Sequence, residues 1–381
     1  MQLILGDSEI KLKDIPDNTI DLVVSDPPYQ LDSVKNISGK SKSAKGFMGK
    51  DWDVLPPVSL WMEVLRTMKP GAFAFLMMTP RQDSLSKCIV DLSDAGFNTG
   101  FTSLYWTYAQ GFPKAHNISK SIDKKLKKKP IDTGIPDLNR KGRYKGIGGF
   151  DGVYKDNATN KRDANITAPA SDQAKQFEGS YGGYQPKPAV EVIIVVQKPP
   201  TEPTQVGQAL SNAKGITWLD DCRIPYNDEE YNKRLKEGPP EVVKVLEKLK
   251  RTQGRFPANL LVSDDILNNY SRFFSLDAWA ERNLPFLIVP KASKSEKSKG
   301  LETKNTHATV KPIKLLSYLI TMGSRPGDVV LDPFMGSGST GCAAVLLGRD
   351  FVGIEKDENS FGISKTRISY WERHKLERGD Q

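Results

Sequence analysis

The chain has 381 residues, of which 38% are hydrophobic, with 55 Lys+Arg against 46 Asp+Glu. That apolar share is enough for a sizeable core, so wholesale disorder is excluded, and the length fits one large domain with insertions or two domains. The net charge of +9 points to a polyanionic partner or an anionic surface. Cys88, Cys222 and Cys342 lie far apart without CxxC or zinc-knuckle spacing, and His116, His307 and His374 are as scattered. Neither a disulfide framework nor a metal site is expected. Residues 1–7 lack the basic start and long apolar run of a signal peptide. The most apolar stretch, residues 72–78, is far short of the ~20 residues that cross a bilayer. A cytoplasmic, reduced protein with no membrane partner is expected.

Leu3-Ile4-Leu5 reads as a short strand ending at Gly6-Asp7. Asp21-Leu22-Val23-Val24-Ser25 is a second, β-branched strand, stopped by Asp26-Pro27-Pro28-Tyr29. Two consecutive prolines can neither continue a strand ladder nor enter a helix interior. Residues 35–50 form a Gly/Ser/Lys loop with five lysines and no acid. Leu60, Trp61, Val64, Leu65 and Met68 recur at helical spacing, and Lys69-Pro70-Gly71 is a helix stop signal. A buried strand over 72–78, an amphipathic helix over 84–92 and a strand over 101–108 follow. This β-α-β-α alternation predicts an α/β fold with a doubly wound, mostly parallel sheet.

Composition then shifts. Residues 111–170 hold 14 Lys/Arg against 6 Asp/Glu, nearly the whole charge surplus, interleaved with Phe112, Tyr144, Phe150 and Tyr154. A core strand returns at 190–197. Residues 198–304 are mixed, with a helix expected over 241–250, a strand over 259–262 and a basic loop over 291–300. From 312 the core pattern resumes: a helix over 312–322, a strand over 329–331, a Gly-rich turn, a helix over 340–347 and a strand over 351–354.

That turn, Asp332-Pro333-Phe334-Met335-Gly336-Ser337-Gly338-Ser339-Thr340-Gly341, lies between a predicted strand and a predicted helix. Such a loop lets the backbone approach a ligand closely. Glu355 ends the next strand, where a carboxylate can accept from ribose hydroxyls. Gly336, Gly338 and Gly341 satisfy GxGxxG, so a nicotinamide or flavin enzyme has to be weighed. A dinucleotide fold uses this turn as its first βα unit, however, whereas here only 40 residues follow Gly341. No lysine follows the glycines, so the turn is not a P-loop. Asp26-Pro27-Pro28-Tyr29, at the carboxyl end of a buried strand, offers two acceptors, the Asp26 carboxylate and the Pro27 carbonyl, and a flat ring at Tyr29.

Together, Asp26-Pro27-Pro28-Tyr29 and Phe334-Met335-Gly336-Ser337-Gly338 resemble the catalytic and cofactor motifs of amino-group DNA methyltransferases. With the catalytic motif first and the cofactor motif last, the order resembles the circularly permuted β group of that family. Asp7 lies where the family places a carboxylate against the cofactor's adenine. The segment His307-Ala308-Thr309-Val310-Lys311-Pro312 resembles the one that holds the cofactor's methionine end, with Ala308 where many relatives have Pro. Residues 191–199 resemble the late core strand beside the base pocket.

The resemblance implies a Rossmann-like, circularly permuted methyltransferase fold using S-adenosylmethionine, with Asp26, Pro27, Pro28 and Tyr29 catalytic. It implies cofactor contacts from Asp7, His307, Thr309, Lys311, Asp332, Phe334, Gly336, Ser337, Gly338, Thr340 and Glu355, and no metal. It divides the chain into a catalytic half of the core (1–110), a basic target-recognition insertion (111–188), a core strand (189–199), a second DNA-contacting insertion (200–304) and a cofactor-binding half (305–381).

The chemistry fits these residues. An exocyclic amino group is a poor nucleophile because its lone pair is delocalised into the ring. Two acceptors binding its hydrogens favour the pyramidal nitrogen that attacks a methyl group in line. Attack through a cytosine carbon would need a cysteine nucleophile, preceded by proline in its own family. Lys87, Asp221 and Gly341 precede the three cysteines here. The implied partner is double-stranded DNA, with the target nucleotide flipped onto Tyr29 and lysine-rich segments such as residues 124–129 gripping phosphates. Residues 35–50 are a flap or a plain surface loop on this reading. A homodimer and a cognate restriction nuclease are the further partners such relatives suggest. Adenine is favoured over cytosine because Asp at the first motif position more often goes with adenine in the family. The remaining alternatives are cytosine at its amino group and a non-catalytic DNA binder that keeps the fold.

Overall fold

A computed structural model of the chain describes residues 1–30, 53–108, 116–136, 165–184, 186, 189–226, 239–241, 244, 254–264, 266–284, 298–301, 305 and 310–377. The chain divides into two compact units, residues 1–109 with 190–381, and residues 110–189. Among the described residues no helix is long and apolar enough to cross a membrane.

In chain order the elements are β1 (Gln2–Leu5), α1 (Ser8–Lys11), β2 (Ile20–Ser25), α2 (Val58–Thr67), β3 (Met68–Met78), α3 (Gln82–Asp94) and β4 (Leu104–Thr107). Then come α4 (Ile118–Lys125), β5 (Ile131–Pro136), β6 (Asn165–Ala168), α5 (Asp172–Lys175), β7 (Val190–Gln197), α6 (Gln205–Asn212), β8 (Ile224–Pro225), β9 (Gly254–Arg255) and β10 (Leu260–Val262). The last are α7 (Leu276–Asn283), α8 (Ile313–Gly323), β11 (Val329–Asp332), α9 (Ser339–Leu346), β12 (Asp350–Glu355) and α10 (Glu358–Glu377).

The larger unit is built on an eight-stranded sheet of order β1-β12-β11-β2-β3-β7-β4-β10. All neighbours are parallel except β7, which runs antiparallel to both β3 and β4. The sheet is the doubly wound, mostly parallel one the sequence predicts. Every residue of β2 is buried, as expected of a central strand covered on both faces. Successive side chains go to opposite faces: Leu22, Val24, Phe73 and Phe75 pack with α8 and α9. Val23, Ala74 and Leu76 pack with Leu60, Trp61 and Val64 of α2.

Lys69-Pro70-Gly71 does not separate helix from strand as the stop signal suggested. α2 ends at Thr67 and β3 begins at Met68. Pairing to β2 jumps from Ile20↔Met68 to Leu22↔Phe73, so the Pro-Gly pair sits in an irregularity of the ladder, where proline is tolerated. Part of the mixed region 200–304 belongs to the core. Leu276 and Trp279 of α7 are fully buried, and Trp279 meets Tyr318 edge-on at 5.0 Å. Its indole donates to the Asp221 carbonyl at 2.9 Å. Of the helix expected over 241–250, only 241 and 244 are described.

In the smaller unit β5 and β6 form an antiparallel ribbon. Asp123 of α4 accepts from the amides of Ala170 and Ser171, at 2.8 and 3.0 Å, tying α4 to the start of α5. Lys124, Lys125, Lys127, Lys128 and Lys129 are all exposed. The aromatics Phe112, Tyr144, Phe150 and Tyr154, and the loop 35–50, lie outside the described residues.

Candidate active site

β2 and β11 are neighbours, yet the chain leaves them in opposite directions. From β2 it crosses through α2 to β3, and from β11 through α9 to β12. Their carboxyl ends therefore flank the point where the winding reverses, the place where open α/β sheets bind ligands. Both sequence motifs begin there. Ser25 Oγ, the last residue of β2, donates to Asp332 Oδ1 at 2.5 Å. Asp332 also accepts from the Phe334 amide at 3.0 Å and from the Thr340 hydroxyl. Burial outweighs these bonds and pushes its carboxyl up to about 6.

Past Asp332 the chain turns through left-handed backbone at Gly336 (φ 54°) and Gly338 (φ 78°), conformations that glycine adopts freely. A Cβ at Gly341 would stand 2.4 Å from Ile368 Cδ1, so this third glycine serves the packing of α9 on α10. The turn is pinned from two sides. The Gly336 amide donates to Glu355 Oε2 at 2.7 Å, and the Asp357 amide to Oε1 at 2.8 Å. Burial raises the Glu355 carboxyl in spite of these donors. From α10, the fully buried Arg367 donates through Nη1 to the Ser337 carbonyl at 2.5 Å and to its hydroxyl at 3.0 Å. Phe334 meets Trp61 edge-on at 6.1 Å. Asp7, exposed just past β1, caps α1 by accepting from the Glu9 amide at 3.0 Å, while the Ser8 hydroxyl donates to the Pro333 carbonyl. Carboxylates thus stand at the ends of three adjacent strands, β1, β12 and β11.

Beside them lies the second cluster. The Tyr29 hydroxyl donates to Asp26 Oδ1. Lys311 Nζ stands 3.3 Å from the same Oδ1 and donates to Tyr29 Oη at 3.0 Å and to Glu191 Oε2 at 2.8 Å. Asp53 Oδ1 accepts from the Tyr29 and Gln30 amides at 3.2 and 2.8 Å, fixing the turn after the prolines. Burial is the main cause that pushes the Asp26 carboxyl up to about 6; Lys311 pulls it down and Glu191 pushes it up. Burial by itself would lower the Lys311 ammonium, and the two carboxylates overcome this and raise it. Tyr29 is raised, first by burial and then by Asp26.

The structure thus gathers Asp26, Pro27, Pro28, Tyr29, Lys311, Asp332, Phe334, Gly336, Ser337, Gly338, Thr340, Glu355 and Asp7 along one edge of one sheet. His307 and Thr309 lie outside the described residues. Lys311, read from the sequence as a contact of the cofactor's methionine end, here faces Asp26, Tyr29 and Glu191. Sequence reasoning did not single out Glu191, Asp53, Ser25 or Arg367. For Glu191 a signal existed: it is the lone acid in the apolar strand Val190–Gln197. Because β7 is antiparallel, its first residues sit where β3 and β4 end.

A family model described as DNA methylase, of the N6/N4 type, matches residues 20–366. The chain belongs to this DNA methylase family. Two family relatives share short stretches of sequence with it. Type II methyltransferase M.HinfI of Haemophilus influenzae is 44% identical over 73 residues, 19% of this chain and 20% of the relative. Type II methyltransferase M2.MboI of Moraxella bovis is 46% identical over 66 residues, 17% of this chain and 24% of the relative. The matched part therefore spans a quarter or less of either relative's length. Among solved structures, the cytosine-N4-specific PvuII DNA methyltransferase superposes with a TM-score of 0.45 at 15% identity, covering 98% of this chain and 92% of that one. M1.HpyAVI superposes at 0.43 with 14% identity, covering 96% and 98%.

Proposed function

We propose that this chain is a DNA methyltransferase that moves a methyl group from S-adenosylmethionine to the exocyclic amino nitrogen of adenine, with the target nucleotide flipped out of the duplex. The observation that carries the reading is the join between the two motifs. Ser25 and Asp332 bond across adjacent strands at the winding reversal, so a ligand on the glycine turn lies next to Asp26. Family membership supports the reaction class.

The donor set suits the cofactor. Acceptors at Asp7, Glu355 and Asp332 match a ligand with a diol, amino groups and a sulfonium charge. Glu355 already orders the turn through the Gly336 amide. When bound, S-adenosylmethionine supplies an electrophilic methyl group activated by its positive sulfur. The protein's part is positional and electrostatic. Asp26 and the Pro27 carbonyl accept the two amino hydrogens, hold the nitrogen pyramidal and meet the positive charge that develops on it. The target amino group lies inside duplex DNA, which requires the base to leave the stack. The exposed lysines of residues 124–129 supply phosphate contacts on this reading. A homodimer and a cognate nuclease remain proposals drawn from the resemblance alone.

The test is mass spectrometry of nucleosides from duplex DNA incubated with protein and S-adenosylmethionine, beside Asp26→Ala. Adenine methylated at its amino group supports the full reading. Methylated cytosine amino nitrogen keeps the mechanism and overturns the base. No methylated base, with cofactor binding intact, leaves the chain as a DNA binder that retains the fold.

A further inference from the structure

The two oxygens of Asp26 are used unequally. Oδ1 holds the Tyr29 hydroxyl and faces the Lys311 ammonium at 3.3 Å. Oδ2 has no protein donor among the described residues. Lys311 is itself committed: its remaining neighbours are Tyr29 Oη at 3.0 Å and Glu191 Oε2 at 2.8 Å, which accounts for the three donors of an ammonium group. The side chains of Lys311 and Glu191 are only 10% and 18% exposed.

We propose that Lys311 and Glu191 are a positioning pair for Asp26, clamping Oδ1 so that Oδ2 alone is offered to the amino group of the target base. This rests on the methyltransferase reading above. Two physical points support it. A lysine paired with Asp26 alone would neutralise it and compete for both oxygens; sharing the ammonium with Glu191 divides its pull. The triad of Asp26, Lys311 and Glu191 also carries a net negative charge, whereas the Asp26–Lys311 pair alone would carry none. A residual negative charge facing an amino nitrogen that becomes positive as it attacks is stabilising in the transition state. The other titratable groups nearby are Tyr29 on the same turn, Asp332 at the end of β11, Asp53 behind the Tyr29 amide and Tyr108 after β4. Of these, Asp332 is also raised to about 6 and feels the charge of Asp26, so its titration is followed beside that of Asp26 in every variant.

The experiment uses the full chain with carbon-13-labelled aspartate carboxyls, the Asp26 signal being assigned by its loss in Asp26→Asn. Its titration midpoint should rise in Lys311→Gln, which removes a cation, and fall in Glu191→Gln, which removes a like charge. In methylation assays both variants should lose kcat by about 10²-fold through misplacement of Asp26, with KM for S-adenosylmethionine little changed. The charge-preserving variants Lys311→Arg and Glu191→Asp, held in reserve should the first pair not fold, should keep the midpoint and still lose kcat. Midpoints that stay put in Lys311→Gln and Glu191→Gln, or that move in the same direction, overturn the proposal. So does a large rise in KM for the cofactor with an unmoved Asp26 titration, which would place Lys311 with the cofactor. Opposed midpoint shifts among the variants of a protein that methylates no DNA refute the methyltransferase reading, and with it the role of Oδ2 toward a base, leaving only the electrostatic coupling of Asp26, Lys311 and Glu191.

Discussion

One strand carries two aspartates with opposite fates. Asp21 lies at the start of β2 and Asp26 just past its end, and each is met by lysine. Asp21 is saturated: Lys69 and Lys214 reach Oδ1 at 2.7 and 2.8 Å, and the Val329 amide donates to Oδ2 at 2.9 Å. Burial would raise its carboxyl, but these donors overcome burial and hold it below the ordinary value. Asp26 receives one lysine, shared with Glu191, and its carboxyl is raised to about 6. A carboxylate whose oxygens are filled by the protein builds structure. One with an oxygen left over, held at a strand end, can bind something else.

Substitutions should break this comparison in opposite ways. Asp26→Ala should lower methylation by about 10³-fold while the protein still binds S-adenosylmethionine by isothermal calorimetry; normal methylation by this variant would remove Asp26 from the chemistry. Asp21→Asn leaves the buried Lys214 with Asp328 as its one carboxylate among the described residues and should cost about 3 kcal/mol of stability, read as a lower urea midpoint, with the active site intact. Asp26→Asn should instead stabilise the protein at pH 8 by about 1 kcal/mol, as removal of a functional, ill-solvated charge often does. The signs follow from linkage. The native Asp26 carboxyl, raised from 3.8 to about 6, binds its proton more tightly than the unfolded one. Its contribution to stability is therefore lost as pH rises from 3.8 to about 6, and on the proposed reading the same ionisation creates the acceptor for the amino group. Activity should accordingly fall as pH drops through about 6. Asp21, whose native carboxyl is lowered, contributes stability above the ordinary carboxylate range and loses it as pH falls through its native value. The smallest effect lies in the other unit. Replacing Lys127, Lys128 and Lys129 by Gln should flatten the log–log salt slope of DNA binding by about 1 for each phosphate no longer gripped.

Much of this was legible in the residues. Two buried strands each ending in a special turn announced ligand-facing residues at the sheet's carboxyl edge, although that they are neighbours at the winding reversal is seen only in the pairing. The doubly wound core, the Asp26 turn and the glycine turn all came from that pattern. Glu191 did not, since its role depends on β7 running antiparallel, a property of pairing that local sequence leaves open. Arg367 was missed because α10 was not foreseen; only the spacing of Ser364, Ile368 and Trp371, all buried, marks its inner face. Lys69-Pro70-Gly71 marked the end of α2 to within two residues but hid the start of β3, because pairing of Met68 with Ile20 carries the strand through it. The grip of Asp53 on the Tyr29 amide crosses residues 31–52, a span with no periodic pattern from which a contact could be read.

The pairing of β2 with β11 also dictates an order of assembly. Asp21 and Val329, which bond across these strands, are 308 residues apart. During synthesis β2 can meet β3 early, but its other edge stays open until β11 has been made. A central strand that is buried throughout in the finished fold, left with a free edge, is a template for pairing with other chains. The nascent chain must carry that open edge for the 308 residues that separate Asp21 from Val329, and contacts of such long range form slowly. Refolding yield should therefore decline steeply with protein concentration, through association of partly folded chains along β2.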